Sequence, residues 1–454
     1  MTLIKSISGI RGTIGGNYRS SLTPQDVVEC TAGFGTWVKN QHSNKVKIVV
    51  GRDGRISGPI VSSLAINTLL SMGIDVIDLG LSTTPTVEMM VTHLKCDAGI
   101  IFTASHNPKE WNALKFLDNK GEFISAETGK AILDIIDSGE ITYAEVDDLG
   151  AVTNYAKSIE DHIHKILALP YLDITRIKSK SFHVVVDCIN SSGAISVPPL
   201  LDALGVSYTL INEVVDGNFA HNPEPLPAHL TVLSETVIQE KADFGISVDP
   251  DVDRLAFVCE DGSVFGEEYT LVAVADAVLS RKKGPTVSNL SSTRALSDVT
   301  TSYGETYFAS AVGEVNVVNL MKKTGAVIGG EGNGGVILPE LHYGRDALAG
   351  IALFLDLLAS KNVTVSALKN SYPKYSIIKD KIPADSLDIA ASFQQLKIAF
   401  ADERLDNQDG LKIDFTNGWV HMRTSNTEPI IRIYAEAPTE SEAKELIDRV
   451  KDQI

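Results

Sequence analysis

Cysteine is scarce. Cys30, Cys96, Cys188 and Cys259 are the only four in 454 residues. None is spaced as a ligand pair and most sit beside apolar residues, which argues against a disulfide scaffold or a cysteine metal site and predicts buried, reduced thiols. Positive charge is also in short supply. Forty basic side chains face 58 acidic ones, a formal net charge of −18 that repels nucleic acid and anionic membranes. No run approaches the roughly 18 apolar residues of a membrane span. Met1-Thr2-Leu3-Ile4-Lys5-Ser6 has neither a long apolar core nor a cleavage pattern. The expectation is a soluble cytoplasmic protein, a monomer or homodimer, with no nucleic-acid or membrane partner. A phosphate ligand would have to be gathered by local arginines and backbone amides against the overall field.

The composition that remains, 44% hydrophobic and 22% charged, is globular, and the length predicts three or four compact domains. An α/β unit begins with Val46–Val50 as a buried strand, Gly51 to Gly58 as a tight loop, Pro59–Met72 as a helix and Ile74–Leu79 as a second strand. The loop carries Arg52 and Arg55 at the carboxyl end of a strand, where α/β sheets place ligands. The same order recurs from Phe182 to Ile211 and from Pro285 to Ala309, which suggests three related α/β domains. Asp137 to Ala151 and Tyr372 to Ser386 read as connections. After Gly410 the pattern changes to three strands and a terminal helix opened by Thr439 and Glu442, a smaller α+β domain. The expected limits are 1–153, 154–258, 259–372 and 373–454.

Four loops carry chemistry. After the strand Ala98–Phe102 comes Thr103-Ala104-Ser105-His106-Asn107-Pro108, where Ser105 is an exposed nucleophile candidate, His106 a donor and Lys115 a source of charge or a proton acceptor. Alone, it also reads as an ordinary polar loop. Asp249-Pro250-Asp251-Val252-Asp253-Arg254 lies between two strands. Carboxylates at alternate positions of an extended segment share one side and offer hard oxygen ligands to a divalent cation, with Mg²⁺ favoured. An EF-hand is rejected because Arg254 stands where glycine is required and the flanks are strands. Gly329 to Gly335 holds Glu331 and Asn333 on glycines without the Lys-Ser/Thr of a P-loop, and suits sugar hydroxyls. Arg423-Thr424-Ser425-Asn426-Thr427-Glu428-Pro429, followed by Arg432, has the donors of a metal-free phosphate cradle. Near the start, Ser8-Gly9-Ile10-Arg11-Gly12 presents one more arginine.

Taken in this order, the motifs resemble those of the α-D-phosphohexomutase superfamily along the whole chain. The resemblance implies an α/β fold of four domains around a central cleft, three related α/β domains plus a smaller C-terminal α+β domain. It implies an isomerase in which phosphorylated Ser105 gives its phosphoryl group to a hexose monophosphate and recovers the other phosphate from a hexose 1,6-bisphosphate. Mg²⁺ would be held by Ser105, Asp249, Asp251 and Asp253, with Ser105, Lys115, Arg11 and His106 in the chemistry. Arg254, Glu331, Asn333, Arg423, Ser425, Asn426, Thr427 and Arg432 would bind substrate. Where many members have Ser-Gly-His, this chain has Asn333-Gly334-Gly335, so no histidine role transfers to that position, and His342 is the stand-in considered. The form of this loop is similar to a branch that includes phosphoglucosamine mutases and phosphomannomutase/phosphoglucomutases. Glucosamine phosphates are the expected substrate, with mannose and glucose phosphates next. A non-catalytic sugar-phosphate binder is disfavoured by the complete set of Ser105, three aspartates and Lys115. A serine hydrolase is disfavoured by the lack of a Gly-x-Ser-x-Gly elbow.

Overall fold

The computed structural model of the chain describes residues 3–6, 9–383, 389–424 and 430–453. It forms two compact units, Met1–Thr270 with Gly334–Ser366, and Leu271–Asn333 with Ala367–Ile454.

In the first unit, β1 (Ile4–Ser6), β2 (Gly9–Thr13), β3 (Lys47–Arg52), β4 (Asp75–Leu81), β5 (Ala98–Phe102), β6 (Trp111–Leu117) and β7 (Val152–Asn154) form one sheet, ordered β1-β2-β6-β5-β3-β4-β7. Central β3 is parallel to β4 and β5. It reads as an unbroken apolar run because both its faces are covered. Ile48 and Val50 enter a core with Val27, Phe34, Ala65 and Leu69 from the helices Pro24–Asn40 and Gly58–Ser71. Val49 faces Val87 and Met90 of the helix Thr84–His93 on the other side. The first of these helices starts where its sequence predicts, with Thr23 and Asp26 closing a capping box and Pro24 in the first turn.

The second sheet repeats the plan. β8 (His183–Asp187), β9 (Ser207–Ile211), β10 (Phe244–Val248) and β11 (Leu255–Cys259) are ordered β11-β10-β8-β9, with β8 parallel to β9 and β10 and β11 returning antiparallel. In the second unit, β12 (Thr286–Asn289) is likewise parallel to β13 (Tyr307–Ser310) and β14 (Ile328–Glu331). The strand–loop–helix–strand repeat is therefore real, and each repeat places a chemistry-bearing loop after its third strand. β15 (Gly335–Ile337) and the helix Ala347–Lys361 belong to the first unit, and the helix is buried from Ala347 to Ala359. Phe354 stacks on Phe257 with ring centroids 3.8 Å apart. Burial inside protein accounts for its apolar sequence, and no single helix among the described residues is long and apolar enough to cross a membrane.

The second unit ends in an antiparallel sheet of β16 (Ser376–Pro383), β17 (Arg404–Asp406), β18 (Leu411–Phe415), β19 (Gly418–Thr424) and β20 (Ile430–Ala437), ordered β16-β20-β19-β18-β17. Ile431 and Ile433 pack with Leu396, Ile447 and Val450 from two helices. β16 corrects the expectation that Tyr372 to Ser386 is a connection, since it pairs with β20 along its whole length. It is an edge strand, and edge strands carry charge such as Lys379-Asp380-Lys381 that reads as linker. The four cysteines are free and buried.

Candidate active site

Ser105 sits in the loop joining β5 to β6 with a backbone φ of 49°, in the left-handed region that serine seldom adopts. Such strain persists only where surrounding contacts over-determine it, and it concentrates at functional positions. The contacts come from Arg55. Its guanidinium, 0% exposed, donates to the carbonyls of Ser105 (2.5 Å), Asn107 (2.7 Å), Pro108 (2.7 Å) and Trp111 (2.9 Å), and to Asp53 Oδ2 (3.0 Å). Asp53 Oδ2 also accepts from Thr103 Oγ1, and Thr103 Oγ1 accepts from the Ser105 amide. The expectation that Arg55 faces a ligand is corrected: its fork is spent on the serine loop. Arg52 turns back to the Asp53 carbonyl, 3.1 Å away.

The acidic loop differs from its expected form. It is a turn, not an extended segment, and the carboxylates converge because Val252 takes φ 61°, a rare state for a β-branched residue. Outside donors hold the turn: Ser191 Oγ on the Pro250 carbonyl, the Thr84 amide on Asp251 and the Ala347 amide on Val252. Ligand atoms of Asp249, Asp251 and Asp253 all lie within 4.8 Å of one another. Each carboxylate has one oxygen anchored by the protein. Asp249 Oδ1 accepts from the amides of Asp253 and Arg254, both at 3.0 Å. Asp251 Oδ2 accepts from Thr84 Oγ1 (2.6 Å) and Lys115 Nζ (3.0 Å). Asp253 Oδ2 accepts from Arg345 Nη2 (2.6 Å). Of the other oxygens, Asp249 Oδ2 receives the Ser105 hydroxyl at 2.8 Å, while Asp251 Oδ1 and Asp253 Oδ1 are buried without a hydrogen-bond partner. Buried anionic oxygens left unpaired are costly. An all-oxygen set of this kind fits a hard divalent cation such as Mg²⁺.

Burial, together with the charges of Asp253 and Asp251, pushes the Asp249 carboxyl well above its usual range. Burial acts the same way on Asp251, but Lys115 and the Thr84 hydroxyl outweigh it and hold that carboxyl low. Lys115 is the mirror case: burial disfavours its charge, and Asp251 and Asp253 more than restore it. His106 Nδ1 is 3.4 Å from Ser105 Oγ. Burial, with Arg254 and Arg345 nearby, holds His106 neutral well below its ordinary value. Arg11 pairs with Ala113 and Gly9 with Lys115 across β2 and β6, so the Arg11 and Lys115 side chains lie on one face of the sheet. Arg254 Nη1 is engaged by Glu224 Oε1 at 2.7 Å. Ser8 lies outside the described residues. Thr84 was not legible as a contributor. Arg55 was expected to face a ligand rather than the serine loop, and Arg345 was visible only as an arginine three residues after His342.

In the second unit, Glu331 Oε1 accepts from Asn289 Nδ2 (3.0 Å) and the Gly313 amide (3.2 Å), and Asn333 Nδ2 approaches Glu331 Oε2 at 3.5 Å. Arg423 pairs with Arg432 across β19 and β20, and Arg432 pairs with Lys381 across β20 and β16. Directly paired residues share a sheet face, so three cations from three strands line up there. Lys381 is the member of that row the sequence did not single out. Arg423 Nη1 is 3.4 Å from Asp409 Oδ2. Ser425, Asn426 and Thr427 lie outside the described residues.

Four consecutive segments match the alpha/beta/alpha domains I, II and III and the C-terminal domain of phosphoglucomutase/phosphomannomutase, over residues 3–142, 160–262, 266–375 and 378–453. A phosphoglucomutase/phosphomannomutase of Thermococcus kodakarensis is 34% identical over 97% of this chain and 96% of its own. A phosphoglucosamine/phosphogalactosamine mutase of Sulfurisphaera tokodaii is 32% identical over 98% and 97%. Among solved structures, a phosphoglucomutase/phosphomannomutase family protein of Burkholderia thailandensis superposes with a TM-score of 0.85 at 25% identity, covering 99% of this chain and 95% of that one.

Proposed function

The chain belongs to the phosphoglucomutase/phosphomannomutase family of isomerases, and from that premise we propose that it interconverts hexose 6-phosphate and hexose 1-phosphate through a phosphoserine at Ser105, with glucosamine phosphates preferred. One observation carries the reading. The strained Ser105 hydroxyl donates to Asp249, whose two neighbouring carboxylates each keep a buried oxygen free.

In the first half-reaction a sugar hydroxyl attacks the phosphorus on Ser105. A phosphorus–sugar oxygen bond forms, the phosphorus–Oγ bond breaks, and the sugar hydroxyl proton passes to a base. The resulting 1,6-bisphosphate turns over. In the second half-reaction Ser105 Oγ gives up its proton and attacks the other phosphorus, the bond from that phosphorus to the sugar oxygen breaks, and the sugar oxygen takes back a proton from the base. Asp249, Asp251 and Asp253 would hold a divalent cation, which would supply charge neutralisation for the transferring group. Asp249 Oδ2 holds the hydroxyl proton of the free serine at 2.8 Å. Lys115 is the base for the sugar hydroxyl, with Arg11 beside it on the same sheet face. Its charge is supported by Asp251 and Asp253, and that support falls when those carboxylates are neutralised, which brings the amine closer to proton exchange. Neutral His106 serves as a hydrogen-bonding partner of Ser105 rather than as a cation. Glu331 and Asn333 meet ring hydroxyls, and Arg423, Arg432, Ser425, Asn426 and Thr427 hold the phosphate that does not react. The reading includes a cytoplasmic location, for which free buried cysteines are supporting evidence.

The test is intact mass. A phosphate is expected on Ser105, and Ser105→Ala should lose both the added mass and turnover; an active Ser105→Ala enzyme would refute the phosphoserine route. Asp251→Asn should lose most turnover, and undiminished activity in chelator would sink the cation site. A second reading, with mannose and glucose phosphates preferred, is supported by the Thermococcus relative. Rates on glucosamine, mannose and glucose 1-phosphates measured side by side choose between the two.

A further inference from the structure

Close to the acidic loop lies a second group of ionisable side chains that the chemistry above does not use. Glu88 on the helix Thr84–His93, His162 on the helix Ser158–Leu167, and His342 and Asp346 before the helix Ala347–Lys361 come together in the interior of the first unit. His162 Nε2 lies 2.9 Å from Asp346 Oδ2, and its Nδ1 lies 2.9 Å from Thr86 Oγ1, which bonds Thr83 Oγ1 at 2.7 Å. His342 Nε2 reaches the same Asp346 oxygen at 3.3 Å, and its Nδ1 faces Glu88 Oε2 at 3.2 Å. Glu88 is 1% exposed, and neither of its oxygens has a hydrogen-bond partner. Gly344 closes against it so tightly that a Cβ there would lie 1.7 Å from Glu88 Oε2.

The atoms could also be read as metal ligands. The distances favour an ion-pair lock, because both imidazoles converge on one carboxylate oxygen at hydrogen-bond range, while the other nitrogen of His162 meets Thr86 Oγ1 and that of His342 faces the Glu88 carboxylate at ion-pair distance. The lock joins two of the segments whose donors reach the acidic loop. Thr84, two residues before Thr86, holds Asp251 Oδ2 and the Asp251 carbonyl. Arg345, between Gly344 and Asp346, holds Asp253 Oδ2.

We propose that this histidine–carboxylate lock, with Arg345 as its delivered side chain, is a positioning device that makes the cation site selective for Mg²⁺ over Ca²⁺. By fixing Thr84 and the strap His342–Asp346, it turns Oδ2 of Asp251 and Asp253 towards protein donors and presents Oδ1 of both to the ion. Mg²⁺ demands near-octahedral geometry with short bonds, whereas Ca²⁺ tolerates irregular sets, so ligand orientation is what discriminates them. The Arg345 charge weakens binding of both ions alike and cancels in their ratio. The inference rests on reading the three aspartates as the cation site.

The experiment is calorimetric binding of Mg²⁺ and Ca²⁺ to the full unphosphorylated chain, with no turnover involved. The parent should prefer Mg²⁺. Arg345→Gln, Arg345→Lys and Glu88→Gln, each shown folded by circular dichroism and melting, should lower the Mg²⁺/Ca²⁺ affinity ratio about tenfold or more, as substitutions of supporting residues at metal sites do. Arg345→Lys keeps the charge and lies outside the histidine–carboxylate pairs, so it reports orientation even if Glu88→Gln unfolds. A ratio within twofold of the parent in the folded variants overturns the proposal. So does one Zn²⁺ bound by the parent and lost in His162→Ala, which would make the cluster a metal site. Equal ion binding by the parent and Asp251→Asn would refute the cation site itself, and the lock with it.

Discussion

Arg55→Lys is the substitution whose outcome follows most directly from the structure. The guanidinium makes five hydrogen bonds at zero exposure, four to the carbonyls of the serine loop and one to Asp53. Lysine keeps the charge but offers three donors from one point, so it can retain Asp53 and at most two carbonyls. The carbonyls left without a donor are buried, at about 1–3 kcal/mol each before relaxation. The left-handed Ser105 backbone stores about another 1–2 kcal/mol that only these contacts hold in place. The loop is expected to relieve both by relaxing, which moves the serine oxygen away from Asp249. We predict a modest stability loss, on the order of 1–3 kcal/mol, and a fall in turnover on the order of 100-fold, the usual consequence of misplacing a reacting atom by about 1 Å. Arg55→Ala, which also strands the Asp53 carboxylate, should destabilise by about 3–5 kcal/mol. Thermal melting and kcat on a hexose 1-phosphate are the assays, with amide exchange across residues 103–111 as a local readout. Turnover within threefold of the parent in Arg55→Lys would show that Ser105 is not held by this arginine.

Two further outcomes follow from other parts of the molecule. Burial disfavours a charged His342, but Asp346 and Glu88 outweigh it and raise its pKa to about 9. A raised folded-state pKa means that its stabilising contribution is complete below about pH 6.5, the unfolded value, and is lost as pH climbs to about 9. The melting temperature should fall over that window by the equivalent of a few kcal/mol, and His342→Gln should flatten the fall; a parent curve flat from pH 6 to 9.5 would contradict the ion-pair reading. The row Lys381–Arg432–Arg423 predicts that Lys381→Ala raises KM for the sugar phosphate severalfold with kcat little changed, and an unchanged KM would remove Lys381 from the phosphate site.

Much of the site was legible because its residues are local in sequence. Ser105 follows a strand of five buried residues, and the three aspartates fall within five positions, so a strand-end loop with chemistry could be read directly. The repeated strand–loop–helix–strand order was visible because the first strand of each repeat, β3, β8 and β12, is an almost wholly buried run. β16 was missed because edge strands carry charge. The expected extended acidic segment failed because convergence depends on Val252 adopting a left-handed backbone, which no propensity of valine favours.

The sequence by itself therefore determined the family, the three-fold α/β repeat and the antiparallel final domain, and it singled out the serine and aspartates as candidate reacting or ligating groups. Only the tertiary structure decided which side chains serve those groups. Arg55 lies 50 residues from Ser105, Thr84 lies 167 from Asp251, and Arg345 lies 92 from Asp253. Orientation of a carboxylate is a property of donors brought in from elsewhere in the fold. Local pattern names the candidate ligands, and distant packing decides which carboxylate oxygens the protein engages and which it leaves unpaired.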